Sequence, residues 1–133
     1  MQIQLMQLVA ENRDIFGDRY PGPEFGEGWS RIFEQLLHEL RSASVPTRIM
    51  TTKEKLGTLR GYFEDRLNEA AKELAIRAQE ESACTCDLCG RPGWLRSIRG
   101  FVATRCPFCI SELQPMSEST RSRVVVLLLQ REP

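Results

Sequence analysis

Four cysteines arranged as two pairs, Cys86-x-x-Cys89 and Cys106-x-x-Cys109 with sixteen residues between them, constrain the fold of this chain more than any other feature. A Cys-x-x-Cys pair places two thiolates on one tight turn. Two such turns facing each other supply the four sulfurs, at roughly 2.3 Å from the ion, that a structural Zn2+ prefers. Gly90 and the Pro92-Gly93 pair favour the sharp turns of the first knuckle. The second knuckle departs from that pattern, with Pro107 inside the pair and Ile110 where a glycine is expected.

Between the pairs, the apolar and aromatic residues on either side of Arg99-Gly100 predict a short hairpin, and hence a zinc ribbon over 84–111. Disulfides and a redox dithiol are the competing uses of these thiols. Five cysteines make an odd number, and Cys84 reads as an idle thiol at a helix end. The first residues show no positive stretch followed by an apolar core and a cleavage site, so a reducing, cytoplasmic setting is expected. No strand-then-helix context of the thioredoxin kind surrounds either pair. A closed four-thiolate site leaves no coordination position for water, which makes Zn2+ a scaffold here. Zinc deaminases also require a His-x-Glu, whereas the single histidine sits in His38-Glu39-Leu40.

The 133 residues suffice for one modest core with a metal-stapled appendage. Apolar residues at 5, 8, 9 and 15 suggest a first helix within 1–16, and 18–28, rich in Gly and Pro, reads as a surface loop. Trp29, Ile32, Phe33, Leu36, Leu37 and Leu40 form the stripe of a second helix, which Pro46 stops. Segments 47–52 and 58–63 predict strands on either side of a 53–57 turn, and 64–82 predicts a third helix with Leu67, Ala70, Ala71, Leu74 and Ala78 inward. The expected fold class is therefore α+β, with two or three helices on a small antiparallel sheet in 1–83, the ribbon at 84–111 and a tail at 112–133. Six apolar residues at 124–129 are far too few to cross a bilayer, for which about 18 are needed. They predict a strand that joins this sheet or docks on another chain, giving a route to homo-oligomers.

Taken together, Gly28-Trp29, Lys53-Glu54-Lys55-Leu56-Gly57-x-Leu59-Arg60, Ser82, Cys86-x-x-Cys89-Gly90-x-Pro92-Gly93 and the final cysteine pair resemble a group of small bacterial and phage proteins with a C-terminal zinc ribbon. The likeness spans 28–109. Two positions depart from the group's pattern: its last ligand is usually histidine and here is Cys109, and its phenylalanine within the Lys-Glu-Lys segment is Leu56, which retains an apolar contact. The resemblance implies the architecture and transfers no activity.

Three functions compete. The lack of a phosphate-binding glycine loop or a Ser-His-acid set favours a non-catalytic protein-binding factor, such as a phage or mobile-element inhibitor of a toxin or host defence enzyme. Nucleic-acid binding would use Arg91, Arg96, Arg99 and Arg105 around Trp94 and Phe101, with phosphates on the guanidiniums and bases stacked on the rings. The formal charge of zero opposes that reading, although 84–133 carries 7 basic and 4 acidic side chains against 11 and 14 in 1–83. A third reading gives Lys53, Lys55 and Arg60 a grip on phosphate or carboxylate with Glu54 as base; a solvated turn explains the same charges.

Overall fold

The computed structural model describes residues 3–98 and 100–110. The run at 124–129 and Arg99 therefore lie outside the described residues. Helix α1 covers Ile3–Glu11 and is followed by a single 3-10 turn at Arg13–Ile15. Strand β1 is Pro23–Glu24, α2 is Ser30–Ser42, β2 is Ile49–Lys55, β3 is Thr58–Phe63, and α3 is Glu69–Ser82. Strands β4, Trp94–Ile98, and β5, Phe101–Arg105, make the separate ribbon hairpin. The α+β class expected from the sequence is what forms. The main sheet is ordered β1-β2-β3, antiparallel between β2 and β3 and parallel between β1 and β2.

Strand β1 falls inside the segment expected to be a surface loop. Two residues, one of them proline, carry no alternation that pattern reading can detect. The segment goes inward because Pro23 and Phe25 are buried, and Phe25 packs edge-on against Phe33 with ring centroids 5.2 Å apart. Phe16, just upstream, is also buried and bridges to Ile49.

Helix α2 holds the core together. Its stripe of Trp29, Ile32, Phe33, Leu36, Leu37 and Leu40 is buried as the spacing predicts, against Leu5, Leu8 and Val9 of α1 and Ala71, Leu74 and Ala78 of α3. His38 is on the exposed face. The third helix starts later than expected, at Glu69, because Asn68 caps it by accepting from the Ala71 amide at 2.9 Å. Leu67 therefore lies before the helix and is 84% exposed, and Ala70 faces solvent, so neither belongs to the core.

The central hairpin turns more tightly than the sequence suggests. Lys53, Glu54 and Lys55 are ladder residues paired with Arg60, Leu59 and Thr58, which leaves a two-residue turn at Leu56-Gly57. Both turn residues have positive φ, 53° and 80°, the mirror-image geometry that matches strand twist and favours Asn-Gly. Leu56 is 63% exposed and makes no core contact of the sort its apolar character implied. Leu56→Asn is accordingly expected to stabilise the protein by about 0.5–1 kcal/mol, measured by urea denaturation, because asparagine tolerates the left-handed region that leucine resists.

A four-cysteine centre seated on the core

The two knuckles form by the same backbone rule. In the first, the Gly90 amide donates to the Cys86 carbonyl at 3.0 Å; in the second, the Ile110 amide donates to the Cys106 carbonyl at 3.2 Å. Gly90 takes the left-handed conformation, φ 82°, that its place after the pair demands. Backbone amides also aim at sulfur, from Arg91 to Cys89 Sγ at 3.5 Å and from Cys109 to Cys106 Sγ at 3.4 Å. Such bonds favour thiolate over thiol.

All four sulfurs lie within 4.8 Å of one another, with Cys89 and Cys106 at 3.5 Å. A tetrahedron of sulfurs 2.3 Å from its centre has edges of about 3.8 Å, so the donor set and its spacing fit a metal ion. Cys86, Cys106 and Cys109 are buried and Cys89 is at the surface. Burial works to raise the Cys106 thiol's pKa, but the Cys109 amide and neighbouring thiols outweigh it and bring the thiol down to about 6. Burial and the three other sulfurs push Cys109 up instead. Sulfurs this close repel once ionised, so a cation is what lets all four be thiolates together.

The ribbon is fastened to the core by backbone packed directly on backbone. The Gly28 amide donates to Asp87 O at 2.9 Å, and a Cβ on Gly28 would stand 2.1 Å from Cys86 O. Gly26 packs as closely on the same stretch of chain, where an added Cβ would stand 2.2 Å from Asp87 O. Trp29 is fully buried, and its Nε1 donates to Thr85 O at 2.8 Å. On the other side, Thr104 Oγ1 donates to Gly57 O at 2.6 Å, and a Cβ at Gly57 would meet Leu95 Cδ1 at 2.3 Å. Within the core, Ser82 ties β3 to the end of α3: its Oγ accepts from the Leu59 amide at 2.8 Å and donates to Gln79 O at 2.6 Å.

Gly28-Trp29, Gly57 and Ser82, all within the segments singled out by the resemblance, thus have structural roles. Gly28-Trp29 grips the first knuckle, Gly57 receives the ribbon hairpin, and Ser82 ties β3 to the end of α3. Glu54, read as a candidate base, braces the turn by accepting from the Gly57 amide at 2.7 Å. Lys53 and Arg60 face each other across the ladder, Arg60 Nε donates to Thr58 Oγ1 at 2.9 Å, and Lys55 sits at the hairpin's end. Glu54 and Arg60 thus have partners within the hairpin, which is more than the solvated turn suggested by the sequence.

Arg96 and Arg105 are buried and do not belong to an exposed basic patch for phosphate contact. Arg105 is buried and its Nε donates to Asp87 Oδ1 at 2.5 Å, while burial pushes the Asp87 carboxyl up against the pull of that guanidinium. Arg96 is 5% exposed, lies 3.9 Å over the Trp94 ring and donates to Arg105 O at 3.0 Å. Each buried guanidinium finds an acceptor through its Nε, Asp87 in the knuckle for Arg105 and the Arg105 carbonyl of β5 for Arg96. Arg91 stays outside, 5.2 Å over Phe108, and Trp94 and Phe101 are 37% and 55% exposed. Asp87 was invisible as a structural residue in the sequence, since nothing local distinguishes a buried ion-pair partner from a surface acid. Asp87→Ala should cost about 3–5 kcal/mol, read from denaturant midpoints, because it strands Arg105 without its counter-charge.

The fold and site define an α+β protein with a four-cysteine, ribbon-type centre able to hold a metal ion. No family model, curated protein or solved structure matches the chain. Among the described residues no helix is long and apolar enough to cross a membrane.

Proposed function

We propose that this protein is a non-catalytic interaction module whose four cysteines hold a structural Zn2+ and whose partner is another protein. The carrying observation is the seating of the centre: a donor set that fills a tetrahedron by itself, braced on both sides by Gly28 and Gly57. Such a centre has no coordination position left over for substrate or water. The charged segment that offered the best enzymatic reading is engaged in holding the hairpin. Thiolate ligands and tetrahedral spacing favour Zn2+ over hard cations, which take oxygen donors. The resemblance to small bacterial and phage proteins extends the proposal to an inhibitor or immunity factor acting on a toxin or defence enzyme.

Affinity capture from bacterial lysate with the metal-loaded full chain, read by quantitative mass spectrometry, tests the interaction. A stoichiometric protein partner, lost when a chelator strips the bait, is the expected result. Recovery of nucleic acid alone, or of nothing above the bare-resin background, rules it out. The metal is tested separately by elemental analysis of purified protein, where iron or no transition metal would overturn Zn2+.

A further inference from the structure

We propose that the groove along the outer edge of β3 binds an extended peptide that carries acidic side chains around an apolar one, added to the sheet as a new strand. This inference rests on the interaction reading and assigns it a site away from the metal. The register of the hairpin sets the edge. With a two-residue turn, Lys55 and Thr58 are a hydrogen-bonded pair, and so are Lys53 and Arg60. The intervening residues of β3, Leu59 and Gly61, must then turn their amides and carbonyls away from β2. At Leu59 the outward amide is satisfied by Ser82 Oγ. Gly61 lines the cleft beside β3, and a Cβ there would meet nothing nearer than the Ala75 methyl at 3.9 Å, so this part of the strand is not packed over. Gly61 thus presents its backbone to a cleft of about 800 Å3 between β3 and α3.

The cleft is apolar in its middle and charged at its rim. Met50, Tyr62 and Ile76 are 36%, 41% and 50% exposed there, an accumulation of large apolar surface on one face. Around them Lys53, Arg60, Arg66 and Lys72 outnumber Glu64 and Asp65. Lys72 keeps an exposed contact to Glu69 at 3.8 Å, which solvent screens, and Lys53 lies 5.7 Å over the Tyr62 ring. Strand addition draws affinity from outward backbone groups and specificity from alternate side chains; here Gly61 offers the first, and the apolar centre and charged rim offer the second. The positive rim selects an acidic partner. The chain's own apolar run at 124–129 has Arg121, Arg123 and Arg131 beside it, repeating the rim's sign instead of complementing it. Nucleic acid is disfavoured by Glu64 and Asp65 and by the cleft's offering, among its described lining residues, Tyr62 as its one exposed ring for stacking.

The test uses the full metal-loaded chain and three labelled probes: a short peptide alternating valine and glutamate, the same peptide with lysine for glutamate, and oligothymidylate. Fluorescence anisotropy is expected to show binding of the glutamate peptide alone, weakened at least about tenfold by Ile76→Glu and by Arg66→Glu, equivalent to about 1.4 kcal/mol each. Both positions are exposed, so both variants should fold, and circular dichroism checks this. Amide exchange should show Gly61 newly protected in the complex. No binding of the glutamate peptide, equal binding of the lysine peptide, preference for oligothymidylate, or affinity untouched by either variant would overturn the assignment. A lysate partner captured equally well by the wild type and both variants would remove the groove while leaving the interaction reading intact.

Discussion

Cys86→Ser is expected to abolish metal binding and to lower the melting temperature by more than about 10 °C. Cys86 is fully buried, its carbonyl anchors the first knuckle, and its backbone is the surface on which Gly28 rests. Serine keeps the size but replaces a soft thiolate with a hydroxyl that stays protonated, so three ligands remain and the ion's affinity collapses. Binding energy for a structural zinc is folding energy, and its loss propagates into whatever the site holds in place. Here that includes the end of α3, only three residues before Thr85, whose carbonyl takes the Trp29 hydrogen bond. Scanning calorimetry with parallel elemental analysis checks both effects. A variant without metal that melts with the wild type would show that the core stands without the centre and would remove the scaffold role.

Gly28→Ala is the second large effect, about 3 kcal/mol or more of lost stability together with lowered metal occupancy. The added methyl would lie 2.1 Å from Cys86 O and 2.5 Å from the Asp87 carbonyl carbon, both backbone atoms that cannot rotate aside. Either the α2 entry must lift from the knuckle, breaking the Gly28 to Asp87 hydrogen bond, or the knuckle must open and spread its sulfurs. Gly22→Ala is the matched control. Nothing lies within 4 Å of its Cβ position, and only its positive φ of 104° opposes the substitution, so a cost of about 1 kcal/mol is expected. Equal losses from the two substitutions would mean that the contact at Gly28 is not what holds the ribbon.

The parts of this molecule legible in its sequence are those governed by local spacing. Cysteine spacing foretold the cluster, and the apolar stripe from Trp29 to Leu40 foretold α2, because ligand geometry and helical period are both properties of near neighbours. The ribbon hairpin was legible for the same reason. What escaped depends on partners far along the chain. Strand β1 exists because Phe25 finds Phe33 and because Pro23 and Glu24 lie beside Thr52 and Lys53. Arg105 reads as a surface cation until Asp87, eighteen residues away, meets it in the interior. Gly57 and Ser82 read as turn and helix residues, and only the folded chain discloses that one receives Thr104 and the other serves Leu59. The charge on the Lys53-Glu54-Lys55 segment suggested chemistry because composition cannot distinguish a grip on a ligand from a brace on a turn.

The glycine seams have a consequence for inheritance. Where two pieces of main chain touch with no side chain between them, neither can change shape without the other, so Gly26 and Gly28 bind the fate of the ribbon to that of the core. A recombination event that transplanted 84–110 into an unrelated host gene would deliver knuckles lacking the bare surfaces they were fitted to. The unit that can be exchanged intact is therefore the ribbon together with the whole core it is seated on, α1 included.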